Sequence, residues 1–486
     1  MIPTVTPPQP APRAGAPRVE PMAAIDRAWL RMDEPANLMV INGVMFFDEP
    51  IERDRLQAML ASRLGQVHRF RQCAVRRSAT RWDWEESPGF DVADHIVEQT
   101  LPPGDTDAAL RTLAAAEMGR PLPADRPLWR IHLVHTNDGG SALLWRLHHC
   151  LGDGIALMVL TLAITDLDAD ADLRRGSGAW GSENPLADLF GETRLSPADA
   201  FGHLEQLLPE GARLLARPAE VLAASNRWLR RAATVPAFAR LAGRLPDPQT
   251  LKGTLGGEKR VAWSRAVPLE EVRLAKAAVG GTVSDVLLAT IAGGLRRYLL
   301  SKGKNVDGRS FRAVVPVSLR PLSQMSDLGN CFGLVFLPLP VGIGDPRERL
   351  HELQRRMRSL KSSVEPVVVM AVLGLLGRVP KPIQDLVIRI FGTKGTAVLS
   401  SVPGPSRELF VAGRPIKSIV FWVPQSGRLG LGISIMTYAG QVRLGVASDS
   451  NVIADPEGIV AGFEEELHFL EELRAGAPQT PSNGPL

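Results

Sequence analysis

Two kinds of apolar run alternate along the chain. Dense runs rich in Val, Ile and Phe predict strands: residues 38–47 (LMVINGVMFF) read as a buried one, and 141–147 (SALLWRL), 312–317 and 331–339 read as others. Apolar positions at helical spacing predict helices over 22–32, 284–300, 346–363 and 456–474, while from 396 to 446 strands alternate with turns. The 141–147 run leads into His148-His149-Cys150-Leu151-Gly152-Asp153-Gly154, and the apolar stretch 155–164 beyond it predicts a helix. This heptapeptide therefore sits where a strand leaves its sheet and a helix begins. Periodicity alone implies a mixed αβ protein, and the lack of a visible repeat disfavours a solenoid or propeller.

The pattern also divides the chain. Residues 1–20 are a Pro- and Ala-rich leader, expected to be disordered, without the charged start and apolar core of an export signal. A first αβ domain covers 21–175. Residues 176–260 change character, with arginines from Arg213 to Arg244 set among Leu, Ala, Trp228 and Phe238, and read as a helical connector. A second αβ domain covers 261–475, and 476–486 form a loose tail.

At 486 residues and 45% apolar, the chain has enough material for two domains, each with its own core. The balance of 56 Lys+Arg against 52 Asp+Glu is too mild for the basic stripe of a nucleic-acid binder, so attraction to phosphates or anionic lipid must come from local clusters. Cys73, Cys150 and Cys331 are too few and scattered for a disulfide framework, and a reducing cytoplasm is expected. The apolar run 366–377 (PVVVMAVLGLLG) is well short of the roughly 20 residues a spanning helix needs. Residues 366–390, with Arg378, Lys381 and Arg389, and the connector either lie on a lipid surface or pack on the protein.

The chemistry concentrates in the heptapeptide. Neighbouring residues on a strand point to opposite faces, so His148 and His149 are not expected to share one task or one metal ion, and no His/Cys/Glu cluster nearby completes a ligand set. Asp153 can cap the following helix while Gly152 and Gly154 permit the turn, but that explains neither histidine. Cys150 is the other nucleophile to weigh, against the packing role usual for a free cysteine. Four fixed residues in seven would arise by chance on the order of once in a thousand chains of this length.

The segment matches the HHxxxDG motif of the CoA-dependent acyltransferase superfamily. Pro127-Leu128-Trp129 resembles the PLW motif of its wax ester synthase/diacylglycerol acyltransferase family. Residues 316–320 (PVSLR) followed by Gly329-Asn330 resemble that family's second-domain signature, and 400–405 (SSVPGP) its late VPGP loop. The resemblance extends from about residue 20 to 475, with two departures: Ser284 before Asp285 and Ser401 before VPGP stand where the family usually has Asn.

The resemblance implies an α/β (α+β) fold of two chloramphenicol-acetyltransferase-like domains with mixed sheets, facing each other across a substrate tunnel. It makes His149 the general base, supported by His148, Asp153 and Gly154, with Asp153 holding the loop through an arginine for which Arg320 is the candidate. Asn330 is a candidate for oxyanion stabilisation or substrate positioning, against a turn role for Gly329-Asn330, and backbone N–H groups are equal candidates. No metal or cofactor is implied: acyl-CoA is the co-substrate and a fatty alcohol or diacylglycerol the acceptor. The expected location is cytoplasmic, with peripheral contact at the inner membrane surface or lipid droplets.

An alcohol hydroxyl must lose its proton as it attacks a thioester, which a neutral imidazole within hydrogen-bond reach accomplishes. The same proton can then go to the departing thiolate, so no acyl-enzyme is required, in keeping with the lack of a G-x-S-x-G elbow. Three rivals stand beside this reading: a peptide-synthetase condensation domain, an O-acyltransferase for other alcohols, and a non-catalytic lipid-binding protein on the same fold. PLW, PVSLR and VPGP together favour the lipid enzyme over the first. The departures at Ser284 and Ser401 keep the second open, and the intact motif argues against the third.

Overall fold

The computed structural model describes residues 18–154, 164–170, 251–319, 329–361, 365–425 and 427–475. Most of the leader, the helix expected over 155–164 except its last residue, residues 171–175, the connector up to residue 250, Arg320 and the tail lie outside the described residues.

Two mixed sheets organise the chain, as the resemblance implied. The first runs, edge to edge, through strands Ser418–Trp422, Val40–Phe47, Ser141–His148, Trp129–His135 and Ile96–Thr100. Its last two strands are parallel and its other neighbours antiparallel. The inner strand VINGVMFF is buried along nearly its whole length, because both faces of the sheet are covered.

The second sheet orders Phe332–Leu339, Phe311–Ser318, Ala397–Pro403, Leu431–Tyr438, Gln441–Asp449 and Lys259–Trp263. Ala397–Pro403 lies parallel to both its neighbours. Ser418–Trp422, from the second half of the chain, pairs with Val40–Phe47 and completes the first sheet. One apolar cluster accordingly joins Trp29, Met39 and Leu147 to Phe332, Val369, Val398 and Met436. The halves are packed as one body there, since separating them would expose that surface.

The long helix Val283–Ser301 begins at a capping box: Thr282 Oγ1 accepts from the Asp285 N–H at 3.1 Å, and Asp285 Oδ2 accepts from the Thr282 N–H at 2.9 Å. Asp285, beside the departure at Ser284, therefore has a structural task. Residues 366–390 form two helices, Glu365–Leu376 and Lys381–Gly392, interrupted at Pro380. Among the described residues no helix is long and apolar enough to cross a membrane.

Helices Val283–Ser301 and Glu457–Ala475 cross at two glycines. A Cβ on Gly294 would lie 2.7 Å from the Phe463 nitrogen, and one on Gly462 would lie 2.7 Å from the Gly294 carbonyl. Gly294→Val is expected to force the helices apart at a cost of about 1–3 kcal/mol, read as a lower thermal midpoint. An unchanged midpoint would show that the crossing can give way.

Candidate active site

Strand Ser141–His148 ends at His148, and the chain turns into a single 3₁₀ turn, His149–Leu151. The backbone N–H of His148 donates to Leu128 and that of His149 to Met39, at 3.0 and 2.8 Å, so the motif is pinned to the rim of the first sheet. The two rings then diverge. His148 Nδ1 accepts from the Cys150 backbone N–H at 3.1 Å, and its Nε2 faces Asp33 Oδ2 at 3.2 Å. Burial opposes a second proton on this ring while Cys150 and Asp33 favour it, and the balance lies upward. Such a proton would sit on Nδ1 and displace the Cys150 N–H, so the geometry is that of the neutral ring. Cys150 is itself buried, which pushes its thiol up and makes it a poor nucleophile.

His149 lies flat against Trp29, with ring centroids 4.2 Å apart and planes 13° from parallel, and Phe332 tilts against it at 5.4 Å. Its Nδ1 is 3.0 Å from Asn330 Oδ1. Asn330 Nδ2 donates to Asp26 Oδ1 at 2.8 Å and to the His149 carbonyl at 2.9 Å. Both partners are acceptors, so the amide has only one satisfactory orientation, and its oxygen must accept from His149. The ring proton is therefore on Nδ1 and the lone pair on Nε2.

Burial lowers the His149 pKa to about 4, keeping the ring neutral near physiological pH. Burial also raises Asp26 to about 6, against the opposing effect of the Asn330 hydrogen bond.

The proposed oxyanion role for Asn330 does not fit this arrangement, because both amide N–H bonds are already spent on Asp26 and the His149 carbonyl. Its place is behind the imidazole. Gly329 supplies the turn that brings it there, at φ +107°, a conformation side chains rarely adopt. Asp153 secures the same segment: its N–H donates to the Gly329 carbonyl at 3.4 Å, and its Oδ2 accepts from the Cys331 N–H at 2.8 Å. Gly152 and Gly329 form a parallel bridge beside it. A Cβ on Gly154 would lie 3.9 Å from Val402 of the VPGP segment. The partner expected in Arg320 lies outside the described residues.

The remaining motifs do structural work. Trp129 of the PLW motif is buried, donates from Nε1 to the Phe70 carbonyl at 2.9 Å and stacks on His95 at 4.1 Å. VPGP leaves the sheet where the Gly404 N–H donates to the Thr437 carbonyl at 2.8 Å. Among the described residues, no three His, Cys, Asp or Glu side chains converge as a metal site.

Two contributors escaped the reading of the sequence, Asp26 and Trp29, which lie three residues apart on helix Ala24–Arg31 and so share a face. The available signal was an acid on the apolar face of a helix, visible only as a pattern breach.

The chain matches the description "Wax ester synthase/diacylglycerol acyltransferase catalytic domain" over residues 22–287 and "WS/DGAT C-terminal domain" over 328–471. It belongs to the wax ester synthase/diacylglycerol acyltransferase family. A probable diacylglycerol O-acyltransferase, tgs1, of Mycobacterium tuberculosis is 27% identical over 410 residues, covering 83% of this chain and 84% of that protein. A second from that organism, tgs2, is 25% identical over 472 residues, covering 92% and 98%.

The wax ester synthase/diacylglycerol acyltransferase of Marinobacter aquaeolei has the same fold, with a TM-score of 0.65 at 21% identity, covering 94% of this chain and all 100% of that one. The first condensation domain of the calcium-dependent antibiotic synthetase also shares it, at 0.59 and 16%, covering 96% and 98%. At these identities the likeness is one of fold, so the family assignment rests on sequence, and with it the acyltransferase class.

Two outcomes follow from the hydrogen bonds around His149. Asn330→Leu is expected to lower kcat by about 10–10³-fold in a folded protein, because the imidazole loses the partner that selects its tautomer; an unchanged initial rate would refute this. In kcat/KM, the acid limb due to His149 is expected near 4 rather than at the ordinary 6.5. A smaller inflection near 6 belongs to Asp26 and disappears in Asp26→Asn.

Proposed function

We propose that this acyltransferase moves a long-chain acyl group from acyl-CoA to the hydroxyl of a fatty alcohol or diacylglycerol, giving wax ester or triacylglycerol. The observation carrying this reading is the His149 ring, neutral, oriented through Nδ1 and presenting an unprotonated Nε2. Nε2 takes the hydroxyl proton as the oxygen attacks the thioester carbonyl. The tetrahedral intermediate collapses with rupture of the C–S bond, and Nε2 returns the proton to the thiolate. The acyl group passes directly to the alcohol, with acyl-CoA as co-substrate and no further cofactor.

A base of this kind contributes about 10²–10⁴ in rate, leaving the remainder to substrate alignment and to donors at the oxyanion. With the Asn330 amide occupied, backbone N–H groups are the better donors. Two long chains require an apolar tunnel between the halves, open at both ends, because each buried CH₂ contributes roughly 0.8 kcal/mol and a closed site would hold product too tightly. The enzyme works from the cytoplasmic side as a peripheral protein at a membrane or lipid droplet. Ser284 and Ser401 keep open a second reading in which the acceptor is another alcohol.

Purified protein is expected to form ester from palmitoyl-CoA with hexadecanol or dipalmitoylglycerol, and His149→Ala to reduce this by about 10²–10⁴-fold while remaining folded. Ester formation with neither acceptor would favour the other alcohols, and a fully active variant would refute the base.

A further inference from the structure

Seven large aliphatic side chains are exposed among the described residues, and four of them, Leu375, Ile383, Leu386 and Ile390, lie on the consecutive helices Glu365–Leu376 and Lys381–Gly392. Single exposed aliphatics are ordinary on a protein surface, but a cluster marks an interaction site. At about 100° per residue, Ile383, Leu386 and Ile390 share an arc of roughly 60°. Gln384 is buried, and Val387, Ile388 and Phe391 turn toward the core. Exposed Arg389 borders the aliphatic stripe and exposed Arg378 lies in the turn before the helix, while Lys381 pairs with the one acid, Asp385, at 3.0 Å. The second helix thus has a core side, an aliphatic side and a basic side.

Both helices are tied to the one that carries Asp26 and Trp29. Gln384 Nε2 donates to the Ala28 carbonyl at 2.8 Å, Arg31 Nη2 to Val379 at 2.9 Å, and Lys381 Nζ to Arg31 at 3.0 Å. Arg27 Nε donates to the Gly377 carbonyl. The helix that stacks Trp29 on His149 is therefore also bonded to the segment bearing the exposed aliphatics.

We propose that this face docks on an anionic lipid surface, with the four aliphatic side chains entering the acyl boundary and Arg378 and Arg389 meeting headgroup phosphates. The proposal rests on the lipid acyltransferase reading and gives it an entry side. Charge selects the occupant: a second copy related by two-fold symmetry would set the basic rim against itself, whereas anionic headgroups complement it. Each cation near such a surface contributes about 1 kcal/mol, so the basic rim supplies attraction and the aliphatics supply depth.

The test is co-sedimentation of the full chain with phosphatidylcholine vesicles, with and without phosphatidylglycerol. The wild type is expected to pellet with the phosphatidylglycerol vesicles. Ile383→Ser with Leu386→Ser should reduce partitioning about tenfold or more at an unchanged thermal midpoint and unchanged mass in solution. Arg378→Gln with Arg389→Gln should remove only the preference for phosphatidylglycerol. Acyl transfer to a short, water-soluble alcohol should be the same in all three proteins. Vesicle binding without transfer to any alcohol would sustain the docking face and overturn the enzyme reading. The docking proposal falls if the wild type does not pellet, if the Ile383/Leu386 variant pellets equally, or if that variant instead dissociates a dimer.

Discussion

Asn330 sits between two groups that burial has stripped of water, and its side-chain amide is what makes them compatible. Its oxygen accepts from the His149 imidazole, and its nitrogen donates to the Asp26 carboxylate and the His149 carbonyl. Each of these polar atoms would be expensive to leave unpaired at this depth. The amide satisfies them together, and in doing so leaves Nε2 as the ring nitrogen with a lone pair. Everything that holds residues 329–331 against the motif loop, from the Gly152 bridge to the Asp153 carboxylate, serves that placement.

The same burial has opposite consequences for the two ionisable partners. It drives His149 down and Asp26 up, in each case away from the charged form. As the proposed base, an imidazole held so low takes up a proton reluctantly, and each pKa unit costs about 1.4 kcal/mol. In the proposed step the nearby Asp153 carboxylate and the Asn330 hydrogen bond offset part of that cost, and more effectively in a dry site than in water. Stacking against Trp29 fixes the plane of the ring.

Helix Ala24–Arg31 connects the chemistry to the outside. One side presents Asp26 and Trp29 to the active site; backbone carbonyls and arginines elsewhere on it bind the helices bearing the exposed aliphatics. Close approach is possible there because Gly377 lies against Ala24, where any side chain would strike the Ala24 carbonyl. The proposed lipid contact and the orientation of the proposed base therefore share one structural element.

Much of the site was legible in the chain itself. The run SALLWRL followed by HHCLGDG marked the strand end and the residue most suited to act as base, because strand periodicity and the motif are local properties of consecutive residues. The helix expected over 284–300 was equally local, and its cap lies within the first turn. The task of Asn330 was not legible, since Gly329-Asn330 reads as a turn until strand Phe332–Leu339 is placed beside the motif, 181 residues away in sequence from His149. Nor was the crossing of Ser418–Trp422 into the first sheet, or the meeting of Asp26 with either partner. Sequence by itself determined which residues were chemically able to act and which local elements carried them. Tertiary structure alone decided which nitrogen of His149 holds the proton, because that depends on a hydrogen-bond partner delivered by packing between distant segments.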